Sequence, residues 1–210
     1  MALHETVQTY EQHAAWYASK QWSYDFTALA KQFTDLLPGK RILDLGCGAG
    51  RDAAMLASLG DQVVGIDASA ALLEYAKQKA PTAKFQVMDF TQPLRFRDAS
   101  FDGIWASASL LHVQKNMLPK ILLECNRILV KRGILYISVK LGEGEHWIDH
   151  PKDGKRFFAL YREQELWKCV QKANFTIIHT QQGTKADHKG QGTKDETFIQ
   201  IFAQKKSQLK

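Results

Sequence analysis

The chain has 210 residues, 45% hydrophobic and 24% charged, the balance of a globular protein with one sizeable core. Its net charge of +6 is spread along the chain without a block of like charge. That pattern favours a mildly basic solvated surface over a nucleic-acid-binding face. No apolar run approaches the ~20 residues that span a bilayer.

The N-terminus lacks a basic-then-apolar signal pattern, so a cytoplasmic location is expected. Cys47, Cys125 and Cys169 lack metal-ligand spacing and are read as free thiols in a reducing compartment.

Residues 5–37 are expected to be helical, broken near Lys20–Ser23, and carry Tyr10, Trp16, Tyr17 and Trp22. Pro38-Gly39 ends that segment. From Lys40 short apolar runs alternate with helical patterns. The runs are RILDLG, QVVGID, KFQVMD, FDGIWASA and ILYISVK. Ser69 suits a helix N-cap and Gly60 a helix stop. Residues 115–130 form a further helix, with Pro119 in its first turns.

After residue 156 come RFFALY, a helix over about 162–173, and the runs FTIIHT and TFIQIFAQ. A polar, glycine-rich stretch joins the last two runs, as in an antiparallel hairpin with a long mobile tip. Residues 205–210 are expected to fray. Alternating strands and helices imply a parallel sheet covered on both faces, with ligands beyond the strand C-termini.

Gly46, Gly48 and Gly50 follow the first strand and precede a helix, so a ligand can approach the backbone there. Their G-x-G-x-G spacing differs from the G-x-G-x-x-G dinucleotide pattern. Asp44 stands where an anion would repel a pyrophosphate. A ligand with a positive centre and no phosphate, such as S-adenosylmethionine, fits better than a nicotinamide dinucleotide. Asp67 ends the second strand, the place for an acid on ribose hydroxyls. Asp89 ends the third and can accept from an adenine amine, with Met88 and Phe90 supplying apolar surface for the ring.

The ordered set LDLGCGAGRD, VVGIDAS, MDF and FDGIWASASLLHV…ILLECNRILVKRGILYISVK resembles the class I S-adenosylmethionine-dependent methyltransferases. The likeness is greatest to the small, ubiquinone-biosynthesis-like branch, and covers residues 5–204. It implies an α/β, Rossmann-like, doubly wound seven-stranded sheet of order 3-2-1-4-5-7-6 with strand 7 antiparallel. It divides the chain into an N-terminal helical lid segment (1–37), a methyltransferase domain (38–204) and a tail.

The resemblance also implies that Gly46 and Gly48 hold the methionine end, Asp67 the ribose and Asp89 the adenine amine. Asp44 would meet the ammonium, and Arg51 the carboxylate. Gly50, Ala68, Met88, Phe90, Ala106 and Tyr17 complete the expected cofactor set. The family's Pro-Gly-Gly turn is replaced by Lys131-Arg132-Gly133, where Gly133 still permits a tight turn.

His112, just past the fourth strand, is a candidate base or substrate-orienting group; the competing reading is a histidine that packs its loop. Tyr10 and Tyr17 match a Tyr-x-x-x-Ala-x-x-Tyr lid pattern, or pack an aromatic stripe. Glu143 and Glu145 sit in a glycine-rich loop that could close over the methyl. They would suit a cationic acceptor, whereas Arg156 and Tyr161 would suit an acidic one. Both glutamates could equally be solvated loop acids. The i, i+4 pair His146 and His150 lies in a stretch read as loop, which argues against a metal site.

The expected function is methyl transfer to a small-molecule acceptor. An RNA- or protein-directed methyltransferase and a non-catalytic S-adenosylmethionine-binding protein are the alternatives.

Overall fold

A computed structural model describes residues 2–19, 26–151, 154–184 and 197–207. Trp22, the expected break near Lys20–Ser23, the tip of the C-terminal hairpin and the last three residues lie outside them. The N-terminal part forms α1 (Ala2–Gln12), α2 (Ala14–Ser19) and α3 (Thr27–Asp35), with an additional break at His13. Then come β1 (Arg41–Leu45), α4 (Arg51–Ser58), β2 (Gln62–Asp67), α5 (Ala70–Lys79), β3 (Lys84–Val87) and β4 (Phe101–Ser107). They are followed by α6 (Leu118–Ile128), β5 (Leu129–Lys140), β6 (Glu145–His150), β7 (Gly154–Ala159), α7 (Glu163–Lys172), β8 (Phe175–Thr184) and β9 (Thr197–Lys205).

Seven strands make one sheet of order β3-β2-β1-β4-β5-β9-β8. β1 to β5 run parallel, and β9 is antiparallel to both neighbours. With β8 and β9 as the sheet's sixth and seventh strands, this is the expected order. The inner strands β1 and β4 are buried at all but one position each, and β5 is buried from Gly133 to Val139, as continuous apolar runs require in a sheet covered on both faces.

On one face α3 and α4 pack Leu29, Phe33 and Leu56 around Trp105 and Tyr136, whose rings stack at 3.9 Å. On the other, α6 buries Leu118, Ile121, Leu122, Cys125 and Ile128, a helical stripe. Each buried Leu or Ile contributes roughly 1.5–3 kcal/mol.

Three details depart from expectation. Residues 145–159, read largely as loop, form the β6–β7 hairpin, a two-stranded sheet separate from the main one. Gly144 and Pro151 bracket a strand instead of interrupting one, and His146 and His150 therefore lie on a strand, not a helix. Lys131-Arg132-Gly133, expected as a turn before the fifth strand, lies inside β5 where its register against β4 shifts between Leu129 and Ile134, and Arg132 takes the left-handed conformation (φ 62°). Gly133 is needed for space: a Cβ there would stand 3.0 Å from the Val130 carbonyl oxygen. Lys205 does not fray. It ends β9, and its Nζ donates to the carbonyls of Asn126 (2.7 Å) and Leu129 (2.8 Å).

Candidate active site

The C-terminal ends of β1 to β5 bring the candidate residues to one edge of the sheet. Asp44 pairs in register with Gly65 of β2 and Trp105 of β4, so its side chain enters the core beside the strand-order switch. It is 2% exposed, and among the described residues its Oδ2 has no hydrogen-bond partner. Burial, and then the neighbouring Asp52 charge, hold its carboxyl well above the usual range.

Asp52 behaves oppositely. Burial pushes its pKa up, but Arg51 and hydrogen-bond donors outweigh this and keep it ionised. Arg51 Nε donates to Asp52 Oδ1, and Trp105 Nε1 donates to Oδ2 at 2.9 Å. Arg51 also lies over the Phe26 ring at 4.7 Å. The guanidinium expected to meet a ligand carboxylate is thus turned to Asp52.

The three glycines have different reasons to be glycine. All have positive φ. A Cβ on Gly50 would press on the α5 backbone, 2.7 Å from Ala76 Cα, and one on Gly46 would collide with Ser109. A Cβ on Gly48 would meet nothing within 4 Å. Gly46 and Gly50 therefore serve packing, while Gly48 opens onto free space. The Gly46 and Cys47 amides both donate to the Ile66 carbonyl (2.9 and 3.0 Å), which moors the loop to β2. Cys47 is buried and its thiol pushed up by burial and by Asp44, which fits a packed residue and not a nucleophile.

Asp67 closes the other side of the loop. Its Oδ2 accepts from the Gly48 amide (2.9 Å) and its Oδ1 from the Ser69 amide (2.8 Å). Burial still raises its pKa. Ala68 beside it is half-buried. Ser69 caps α5 by accepting from the Leu72 amide at 3.1 Å. Asp89 Oδ1 accepts from both the amide and hydroxyl of Thr91 (2.8 and 2.6 Å). Met88 and Phe90 on either side are 5% exposed. Ala106, in β4, is fully buried.

Over this edge lies an aromatic group from distant parts of the chain. Tyr10 Oη and His112 Nε2 are 2.8 Å apart, and His112 Nδ1 is 2.8 Å from the Phe157 carbonyl oxygen. A carbonyl only accepts, so Nδ1 carries the proton, and Nε2 accepts from the tyrosine. Burial pushes His112 down to about 3; the Phe157 bond opposes this, and Arg156 and Lys140 add to it. The imidazole is neutral at pH 7 and a poor proton acceptor.

Tyr10 packs on Tyr17 (ring centroids 4.5 Å apart), and Arg156 Cζ lies 5.9, 5.4 and 5.2 Å from the rings of Tyr10, Tyr17 and Phe158. Two further bonds fasten α1 to β7: Phe157 N to Thr6 Oγ1 (3.0 Å) and Thr9 Oγ1 to the Lys155 carbonyl (2.6 Å).

Three expected pocket residues lie elsewhere. Glu143 is exposed and pairs with Arg162 at 2.5 Å. Glu145 is exposed, and its Oε1 accepts from the Lys115 amide at 2.6 Å. Glu143 lies exposed in the bend before β6, and Glu145 begins that strand, all of whose residues are exposed. Tyr161 is 1% exposed and belongs to the core. Its amide and carbonyl join Lys140 and Gly142 (both 3.0 Å), and its ring lies 4.9 Å from Lys115 Nζ. Tyr10, Tyr17, His112 and Arg156 are brought together. Asp52 and Trp105 were missed; an acid in the first turn after the glycine loop was the available signal for Asp52.

The donor set fits S-adenosylmethionine. Asp44 offers a buried acceptor beside open space at Gly48, and acids stand at the ends of β1, β2 and β3. A methyltransferase domain family matches residues 43–137. An uncharacterised methyltransferase from Synechocystis sp. is 31% identical over 149 residues, 67% of this chain and 69% of that one. An S-adenosylmethionine-dependent methyltransferase structure from Methanosarcina mazei aligns with TM-score 0.73 at 25% identity, covering 82% of this chain and 96% of that one. The 1,6-didemethyltoxoflavin-N1-methyltransferase of Burkholderia thailandensis, with 1,6-didemethyltoxoflavin and S-adenosylhomocysteine bound, aligns with TM-score 0.74 at 19% identity. That alignment covers 98% of this chain and 87% of that one. With the sheet order, the glycine loop and the acids of β1 to β3, these matches establish that the chain belongs to the class I S-adenosylmethionine-dependent methyltransferases.

Proposed function

We propose that the enzyme methylates a small molecule, held between the glycine-loop edge of the sheet and the cover made by α1 and the β6–β7 hairpin. The observation that carries this reading is the Tyr10–His112–Phe157 chain. It covers that edge with side chains of the chain itself, a cover that suits an acceptor small enough to lie beneath it. The heterocycle-bound toxoflavin methyltransferase neighbour supports the same scale of acceptor.

The cofactor supplies an activated methyl group; the remaining work is positioning and water exclusion. Gly48, Asp67 and Asp89 bind the adenosine and methionine parts. Asp44 receives the ammonium. Its ionised form, costly when buried alone, gains a partner on binding. His112 positions the Tyr10 hydroxyl and does not act as a base.

The test is transfer of isotopically labelled methyl groups from S-adenosylmethionine to a cell extract separated by mass. Label is expected among small metabolites. Label confined to RNA or protein would overturn the proposal.

A further inference from the structure

Charge is sorted along this edge of the sheet. Its β1–β3 side carries Asp44, Asp67 and Asp89, which suit a cationic cofactor. The side formed by the end of β5 and by β7 carries cations. Lys140 ends β5 with Nζ 4.2 Å from the centre of the Phe158 ring, and Arg156 Cζ lies 5.2 Å from the same ring. The Tyr10 and Tyr17 rings border the same guanidinium. Both cations act on buried His112, whose ring is 4.9 Å from Phe158. The acids that would serve a cationic acceptor, Glu143 and Glu145, lie exposed at the surface, against Arg162 and Lys115.

We propose that the acceptor is a planar oxyanion, its charge held by Arg156 and Lys140 and its plane against Tyr10, Tyr17 and Phe158. This rests on the small-molecule reading above. Aromatic walls exclude water, so an anion paired there is screened less than at the surface. An acceptor that arrives as an anion also needs no base, in keeping with the engaged nitrogens of His112.

Benzoate, benzamide and benzylamine are probes of similar size and three different charges. Their binding is measured by calorimetry on the full chain at pH 7.5, saturated with S-adenosylhomocysteine. Benzoate should bind at least tenfold more tightly than benzamide, and benzylamine most weakly. Arg156→Gln and Lys140→Gln should each cut the benzoate preference at least threefold, and Arg156→Lys should retain part of it.

Equal binding of benzoate and benzamide, tighter binding of benzylamine, or an undiminished benzoate preference in both Gln variants overturns the proposal. The same titrations without S-adenosylhomocysteine measure the charge preference separately from cofactor binding. Label transfer to RNA or protein, by contrast, counts against the small-molecule reading alone.

Discussion

The Tyr10 hydroxyl and His112 Nε2 meet at 2.8 Å across 102 residues of sequence. That bond ties the N-terminal helix to the turn after β4 and depends on a neutral imidazole.

A consequence is a defined loss of stability in acid. Above pH 6.5, the ordinary histidine value, His112 is neutral in both folded and unfolded chains. Below it the unfolded chain takes up a proton that the folded chain, with His112 near 3, refuses. The site's contribution is therefore present above 6.5 and lost as pH falls toward about 3, at ~1.4 kcal/mol per pH unit. Asp44, with its raised pKa, acts in the opposite direction, so the useful quantity is a difference between proteins. Urea unfolding at pH 7.5 and 5.5 should show wild type losing about 1.4 kcal/mol more than His112→Gln. Equal losses would refute the buried neutral imidazole.

The two kinds of glycine can be separated. Gly50→Ala should destabilise the fold by about 1–3 kcal/mol, because the new methyl presses on the α5 backbone. Gly48→Ala meets no neighbour but must hold φ near 52°, which costs about 1 kcal/mol. Its larger effect should be on S-adenosylmethionine, whose affinity should fall at least tenfold. Thermal unfolding and calorimetry check both. A Gly48→Ala protein that binds normally would remove that glycine from the site.

Asp67→Ala should weaken S-adenosylmethionine binding by tenfold or more, since hydrogen bonds to a charged acceptor are worth about 1.5–3 kcal/mol each. It should also cost stability in the free protein, because Asp67 already holds the Gly48 and Ser69 amides. Asp67→Asn, which keeps an acceptor oxygen, should recover part of the stability and less of the affinity. Unchanged affinity in the Ala variant would cancel the ribose assignment.

The parts legible in the sequence are those set by neighbours along the chain. Ser69 caps α5 because a short polar side chain before a helix reaches the amide three residues on. Apolar runs alternating with helices implied a parallel sheet covered on both faces, while its strand order came from the family resemblance. The illegible parts depend on contacts across the fold. Arg51 reads as a ligand contact until Asp52 and Phe26 are seen to occupy it. Trp147 and Ile148 lie exposed in β6, so its six residues lack the buried-face alternation that marks a strand. Their pairing partner, β7, becomes evident only in space.

The last prediction concerns the cover. Substrates must enter an edge that α1 closes, so α1 has to come away from the domain or move with what it grips. Its contacts divide in two. Thr6, Thr9 and Tyr10 bind β7 and His112, whereas Glu11 accepts weakly from the Ala71 amide at the start of α5 (3.3 Å). A Cβ on Gly154 would approach Thr9 Cγ2 to 2.7 Å, so helix and hairpin are also in close contact. The weaker attachment is to α5, and α1 and the β6–β7 hairpin should move as one piece. Hydrogen exchange should then show residues 3–12 and 145–159 gaining protection together when S-adenosylhomocysteine binds. Tyr10→Phe, which loses one partly buried hydrogen bond worth about 1 kcal/mol, should speed exchange in both segments about fivefold. Faster exchange in α1 with an unaltered hairpin would mean that the helix opens alone. Equal protection with and without ligand would make α1 a fixed wall, and the entrance would have to lie on the hairpin side.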